Sequence, residues 1–207
     1  SLEFWRKQFS NQEQLRVMEQ EANRLQPIDY VMHPILVRGE ATIFYAKSKM
    51  GKSALAYSIA ARVVAANVSS RPVQLLPEKW WRVPAQRHKV LYLDFENLRQ
   101  IENKKKLFQE SYFPKEKIDE CRRDLIVKDM SASAKDFSST ANQQEIIDMI
   151  ETAKNQGTPG VSVDLLVIDT YTAFVQTENP STPANFKQLI NKIRAMNIAV
   201  LIIHHAN

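Results

Sequence analysis

The sequence predicts an α/β fold: a mainly parallel, twisted sheet with helices on both faces, preceded by an amino-terminal helical arm. Three observations lead to this prediction. Apolar, β-rich runs alternate with helical segments, which is the pattern of parallel strands joined by helical crossovers. Hydrophobic residues make up 44% and charged residues 25% of the chain, as in ordinary globular domains. The 207 residues suffice for one sizeable core, and no repeat or linker interrupts residues 27–207.

The chain opens with a segment that differs in composition from the rest. Residues 3–25 lack glycine and proline and are rich in helix formers, so residues 1–26 are predicted to form a helical arm. Its loose apolar stripe leaves two interpretations open: the arm contacts its own domain, or it contacts a neighbouring subunit. Pro27 and Pro34 then mark a connector, and residues 27–207 are predicted to form one domain.

The predicted domain alternates strands and helices. Five apolar runs are predicted as strands, at residues 41–46, 89–97, 124–130, 163–170 and 198–205. Helices are predicted at residues 53–68, 142–156 and 183–196. In the second helix the isoleucines share one face, and Gly157 follows as a natural stop. Trp80 and Trp81 lie in a proline-rich loop, where their rings either cover a core edge or stack on a base.

Charge and cysteine content limit the classes of function. The net charge is +5, from 28 basic and 23 acidic residues, which is a weak indication of phosphate-rich partners. Cys121 is the only cysteine, which excludes an intrachain disulfide and a cysteine zinc cluster and favours a reducing, cytoplasmic compartment. No apolar run reaches the roughly 18 residues of a membrane helix, so no membrane partner is predicted. The chain stops straight after an apolar run, so we expect the domain to continue beyond Asn207.

Residues 46–53, the phosphate loop, carry the strongest chemical signal. The pattern Gly-x-x-x-x-Gly-Lys-Ser/Thr binds phosphates through consecutive backbone N–H groups, and here it lies between a predicted strand and a predicted helix, as it must. Lys52 would reach the β- and γ-phosphates, and Gly51 would let the backbone come close. Ala46 replaces the first glycine, where a methyl group matters only if the backbone needs a positive φ. The predicted nucleotide-binding residues are Ala46, Lys47, Ser48, Lys49, Met50, Gly51, Lys52, Ser53 and Ala54.

Acids and histidines follow three other predicted strands. Asp169 ends a buried strand, where a carboxylate beside a phosphate loop holds Mg²⁺ together with the Ser53 hydroxyl. Glu96 lies near the end of the second strand and is the predicted general base. His204 and His205 end the last strand on opposite faces, so we predict a γ-phosphate contact and not a shared metal. The competing interpretations are a turn-capping aspartate, a surface glutamate and structural histidines.

Four segments in a fixed order, GEATIFYAKSKMGKS, VLYLDFEN, LLVIDTYTAF and IAVLIIHHAN, resemble the RecA-like ATPase core. Within that group they resemble the hexameric helicases of the RepA and DnaB type, from about residue 27 to the end of the chain. The resemblance implies that Glu96 is the catalytic glutamate and that Asp169 belongs to the magnesium site. It also implies that His205 aligns with a residue that is glutamine in many members and histidine in the RepA-like branch. Ala46 departs from the pattern, and the family's basic finger would lie after the last residue.

The resemblance implies ATP hydrolysis with Mg²⁺ at the subunit interfaces of a homo-oligomer, coupled to movement on single-stranded DNA. Catalysis would depend on Lys52, Glu96 and His205. We therefore predict a DNA helicase or a replication or recombination ATPase. A RecA-like regulatory ATPase that acts on protein partners is the alternative. The position of Glu96 and the lack of a lid-like arginine cluster disfavour a phosphate-loop kinase.

Overall fold

A computed structural model describes most of the predicted domain: residues 28–47, 49–66, 81–84, 86–95, 113, 115–133, 135–137, 139–175 and 182–206. Its strands are β1 Tyr30–Met32, β2 Leu36–Val37, β3 Ala41–Lys47, β4 Lys89–Asp94, β5 Leu125–Asp129, β6 Val163–Asp169 and β7 Ala199–Ala206. Its α-helices are α1 Lys52–Ala65, α2 Ile118–Asp124, α3 Thr140–Asn155, α4 Tyr171–Phe174 and α5 Thr182–Ala195. A 3₁₀ turn, Lys115–Lys117, precedes α2.

Five of these strands form one sheet in the order β3-β7-β6-β4-β5, and every neighbouring pair is parallel. Because parallel strands all point the same way, their carboxyl ends meet at one edge of the sheet. β6 is buried along its whole length, which explains why its sequence is apolar at almost every position and does not alternate. The predicted α/β fold with a parallel sheet is therefore confirmed.

Helices cover both faces of this sheet. On one face, α1 and α2 contact side chains that project from the strands, among them Val90, Tyr92, Val167 and Leu201. On the opposite face, α3, α4 and α5 cover the intervening strand residues, among them Leu91, Leu93, Leu166 and Ile202. Successive strand residues face opposite sides, so the two clusters divide each strand between them. This alternation determines which strand side chains lie on the same face as α1. Those side chains are the ones that can contribute to a site at the start of α1.

The predicted element boundaries lie within a few residues of the observed ones. The strand predicted at residues 89–97 ends at Asp94, with Phe95 outside it and residues 96 and 97 not described. The helix α3 ends just before Gly157, which has a φ of +73° as a helix stop requires. Trp81 lies partly buried against the α1-side cluster, in keeping with a role at a core edge, whereas Trp80 lies outside the described residues. The predicted arm, residues 1–26, also lies outside them, so the division into arm and domain stays a prediction.

The β1–β2 pair, the short helices α2 and α4 and the 3₁₀ turn before α2 were not predicted. β1 and β2 form an antiparallel pair within the segment predicted as a connector. Val31, Met32 and Leu36 of this hairpin are fully buried in the α1-side cluster.

The described part of the chain contains no helix with the length and apolar character needed to span a bilayer.

Candidate functional site

The phosphate loop and the predicted acidic residue of the magnesium site lie at the same edge of the sheet. In β7, Ile203 lies opposite Asp169 of β6 on one side and opposite Phe44 of β3 on the other. Asp169 is therefore level with Phe44 of β3, two residues before the loop begins at Ala46. The sheet places the carboxyl ends of β3, β7, β6 and β4 side by side, which is where ligands bind in open α/β sheets.

The backbone of the loop has the geometry of an anion-binding turn. Lys49 and Gly51 both have a positive φ, +64° and +78°, and Gly51 is the N-cap of α1. A Cβ added to Gly51 would meet no atom within 4 Å, so space does not require glycine at this position. The left-handed backbone conformation is what favours it. The first turn of α1, all of it described, contains no acidic residue. The positive end of the helix therefore has no carboxylate on its first turn and is suited to an anion.

Lys52 contacts the loop that it follows. Its Nζ donates hydrogen bonds to the backbone oxygens of Ala46, at 2.6 Å, and Lys47, at 2.7 Å. The side chain is largely buried, with 7% of the residue exposed. An ammonium group has three N–H donors, so these two bonds leave one donor for a phosphate oxygen. Ala46 and Lys47 still belong to β3, so the methyl group at position 46 lies on extended backbone and does not distort the loop.

Ser53 and Asp169 meet directly. The Ser53 hydroxyl donates to Asp169 Oδ1 at 3.0 Å, across the gap between α1 and β6. Asp169 is fully buried, and the backbone N–H of Phe95 donates to its carbonyl oxygen at 2.6 Å, which fixes the strand end. Two hard oxygen ligands in contact, next to a phosphate loop, match the way Mg²⁺ is held by one or two protein oxygens plus substrate phosphates. The donor set fits Mg²⁺.

Tyr92 is the member of this group that sequence reasoning missed. Its hydroxyl donates to Asp169 Oδ2 at 2.5 Å, and the residue is 1% exposed. Burial, reinforced by the adjacent Asp169 carboxylate, raises the pKa of Tyr92 well above its ordinary value. The hydroxyl therefore stays protonated and acts as the hydrogen-bond donor. The only signal in the sequence is a tyrosine within the apolar run of residues 90–93, two residues before Asp94 and on the same face.

Aspartates end three neighbouring strands in register. Asp94 of β4 lies opposite Asp169 of β6 and opposite Asp129 of β5. Asp94 is almost fully buried, whereas Asp129 is exposed and accepts hydrogen bonds from the backbone N–H and the hydroxyl of Ser131. Glu96, the predicted general base, lies outside the described residues, as does Ser48 of the loop. Their roles stay predictions.

The two histidines of β7 face different sides of the sheet. His205 lies opposite Ala46, and the alternation along β7 places it on the α1 face, because Leu201 and Ile203 belong to the α1-side cluster. His204 faces the other side, where its ring centroid is 4.9 Å from that of Tyr171. The face covered by α1 therefore carries His205, for which a γ-phosphate contact is predicted.

The other predicted loop residues are more peripheral. Met50 is 71% exposed at the tip of the loop, and Ala54 is exposed on the first turn of α1. Lys47 is exposed at the end of β3. Main-chain groups of such residues contact phosphates irrespective of side-chain type, so their exposure is compatible with the prediction.

Comparison with known proteins assigns the family. No curated protein matches the chain. The family model described as AAA domain matches residues 8–207, nearly the whole sequence. That match, together with the parallel sheet and the loop geometry, supports nucleotide binding and ATPase activity. The chain belongs to the AAA domain family, a family of P-loop ATPases.

Proposed function

We propose that the chain is the ATP-hydrolysing motor domain of an oligomer that acts on single-stranded DNA, as a helicase or a replication or recombination ATPase. One observation carries the ATP-dependent part: Ser53, at the start of the helix behind the phosphate loop, donates to the buried Asp169 at 3.0 Å. A phosphate-binding helix start and an acid suited to Mg²⁺ thus meet at one point. The DNA-dependent part is supported by the helicase-like order of the sequence segments and by the net charge of +5.

The residues divide the chemistry between charge neutralisation and water activation. Backbone N–H groups at the start of α1 would donate to phosphate oxygens, and Lys52 would add its charge at the β- and γ-phosphates. When bound, Mg²⁺ would neutralise part of the charge on those phosphates, with Ser53 and Asp169 as protein ligands, directly or through water. Glu96 would orient the attacking water and take its proton.

His205 would respond to the loss of the γ-phosphate. It lies near the end of β7, which pairs with β3 and β6, the strands that lead to the loop and carry Asp169. A hydrogen bond from its imidazole to the terminal phosphate would exist before hydrolysis and not after it. The strand would then transmit that difference to the segments that follow it.

The ATP-dependent part is tested by separating binding from turnover. Lys52→Ala should weaken the binding of a fluorescent ATP analogue about 100-fold, the equivalent of ~3 kcal/mol, because it removes the charge at the β- and γ-phosphates. Glu96→Gln should leave binding unchanged and lower the hydrolysis rate at least about 100-fold, as loss of a general base does. Lys187→Ala, which removes an exposed lysine on α5, is the control and should behave as wild type. Wild-type binding by Lys52→Ala would refute the nucleotide site.

The DNA-dependent part is tested by titrating single-stranded DNA into the ATPase assay at low salt. We expect the hydrolysis rate to rise with DNA and the stimulation to fall as salt is added, because phosphate contacts release counterions. Sedimentation of the same samples with ATP should show an oligomer. An unchanged rate across the titration would favour the alternative, a regulatory ATPase that acts on protein partners.

A further inference from the structure

We propose that Tyr92 is a positioning residue for the magnesium site: its hydroxyl holds the Asp169 carboxylate so that Oδ1 is presented to Ser53 and the metal. The proposal rests on the proposed function, because it assumes that Ser53 and Asp169 hold Mg²⁺ with a nucleotide. It adds a residue from a third element, β4, to a site that the sequence assigns to α1 and β6.

The two oxygens of Asp169 have different neighbours. Oδ2 accepts a hydrogen bond of 2.5 Å from the Tyr92 hydroxyl, and Oδ1 accepts one of 3.0 Å from Ser53. Because the two donors approach from different elements, rotation of the carboxylate about its Cβ–Cγ bond would break both bonds. The oxygen on the nucleotide side is therefore Oδ1, while Oδ2 is turned into the protein. Such support behind a metal ligand fixes its orientation.

The hydroxyl is the part of Tyr92 that packing does not explain. The ring lies in the α1-side cluster with apolar neighbours such as Val90 and Val167, where a phenylalanine would fill the same space. A hydroxyl is costly to bury unless it is hydrogen-bonded, and a buried carboxylate needs donors. The contact between Tyr92 and Asp169 satisfies both groups at once. Because the Tyr92 hydroxyl contacts the same carboxylate that accepts from Ser53, we assign it to the site.

Tyr92 also connects the helix of the phosphate loop to the strand of the acid. Its ring centroid is 5.3 Å from that of Tyr57. Tyr57 lies one helical turn after Ser53 on α1, so the two side chains share one face of the helix. Tyr92 therefore contacts α1 through its ring and β6 through its hydroxyl. Removing the hydroxyl alone should leave the ring contact in place and release only the carboxylate.

The test measures metal and nucleotide binding separately, with ADP and with Mn²⁺ as a paramagnetic substitute for Mg²⁺. In EDTA, Tyr92→Phe should bind a fluorescent ADP analogue as the wild type does, because the loop amides and Lys52 are untouched. The affinity of the protein–ADP complex for Mn²⁺, followed by electron paramagnetic resonance, should fall about 10- to 100-fold, as is usual for loss of a residue that supports a metal ligand. Tyr57→Phe, which removes a hydroxyl from the neighbouring ring, is the matched control and should keep wild-type Mn²⁺ affinity.

The outcomes separate the two proposals. Wild-type Mn²⁺ affinity in Tyr92→Phe, or an equal loss of ADP affinity in EDTA, would overturn the positioning role and leave the nucleotide site intact. A wild-type protein that binds no ADP would overturn the proposed function and this inference with it. As a rescue, 4-aminophenylalanine at position 92 restores a donor at the same ring position and should restore Mn²⁺ affinity. If Tyr92→Phe does not fold, this variant carries the test, and a folded protein with weak Mn²⁺ binding would refute the role.

Discussion

Ala46 and Gly51 occupy the two glycine positions of the phosphate-loop pattern, and the backbone makes different demands at each. Ala46 lies in the extended strand β3, and its carbonyl oxygen accepts a hydrogen bond from Lys52. Gly51 has a φ of +78°, a region in which a side chain is strained. The first glycine is therefore replaceable in this chain, whereas the second is required by conformation.

Gly160 offers a matched comparison for the conformational role of Gly51. Both have a positive φ, +78° at Gly51 and +75° at Gly160, and a Cβ at either would meet no atom within 4 Å. We expect Gly51→Ala and Gly160→Ala each to lower the free energy of unfolding by about 1 to 2 kcal/mol, the cost of the left-handed conformation. Only Gly51→Ala should also weaken binding of the ATP analogue, because relief of that strain moves the loop amides. Urea denaturation and fluorescence titration measure the two effects, and equal nucleotide affinity in both variants would contradict the role of Gly51.

The convergence of the loop and Asp169 follows from the sequence because it depends on strand direction alone. Apolar runs identify the five sheet strands, which are five to eight residues long in the structure. Helical segments between them imply parallel pairing, and parallel strands bring their carboxyl ends together. Gly157 likewise marks the end of α3 because its role is local. Features that depend only on local conformation or strand direction were therefore predictable.

The Tyr92–Asp169 bond and the β1–β2 hairpin depend on information that the sequence does not give. Tyr92 reaches Asp169 only because β4 and β6 are neighbours in a particular register, with Asp94 opposite Asp169. Neither adjacency nor register can be read from apolar runs. The hairpin strands are three and two residues long, too short for any periodicity, and burial against the α1-side cluster holds them in place.

The two edges of the sheet carry different groups. The carboxyl edge carries the candidate site, whereas buried ion pairs and hydrogen bonds tie the amino edge together. Asp164, at the start of β6, accepts from His88 Nδ1 at 2.7 Å and forms an ion pair with Arg38. Nearby, Lys89 is fully buried, its Nζ donates to the backbone oxygen of Lys154 at 2.9 Å, and burial lowers the pKa of its ammonium group. The residues that follow β2 and precede β4 are thus connected to β6 at the end of the sheet opposite the candidate site.

Asp164 should make the stability of the whole domain depend on acid pH. Burial alone would raise the pKa of this carboxyl group, but the hydrogen bonds from His88 and Arg38 and the charge of Arg38 hold it below its ordinary value. A lowered pKa in the folded protein means that the stabilisation is complete above the ordinary value of about 3.9 and is lost as pH falls through the folded value. Asp164→Asn should therefore lower the free energy of unfolding by about 3 to 5 kcal/mol at pH 7, and the difference from wild type should shrink below about pH 4.

Asp119→Asn, which breaks an exposed pair with Arg122, is the control and should change the stability by less than about 1 kcal/mol at any pH. Thermal and urea unfolding between pH 7 and about pH 3 measure the free energy of unfolding of each protein. If the difference between wild type and Asp164→Asn stays constant down to about pH 3, the Asp164 carboxylate is not the source of the acid sensitivity.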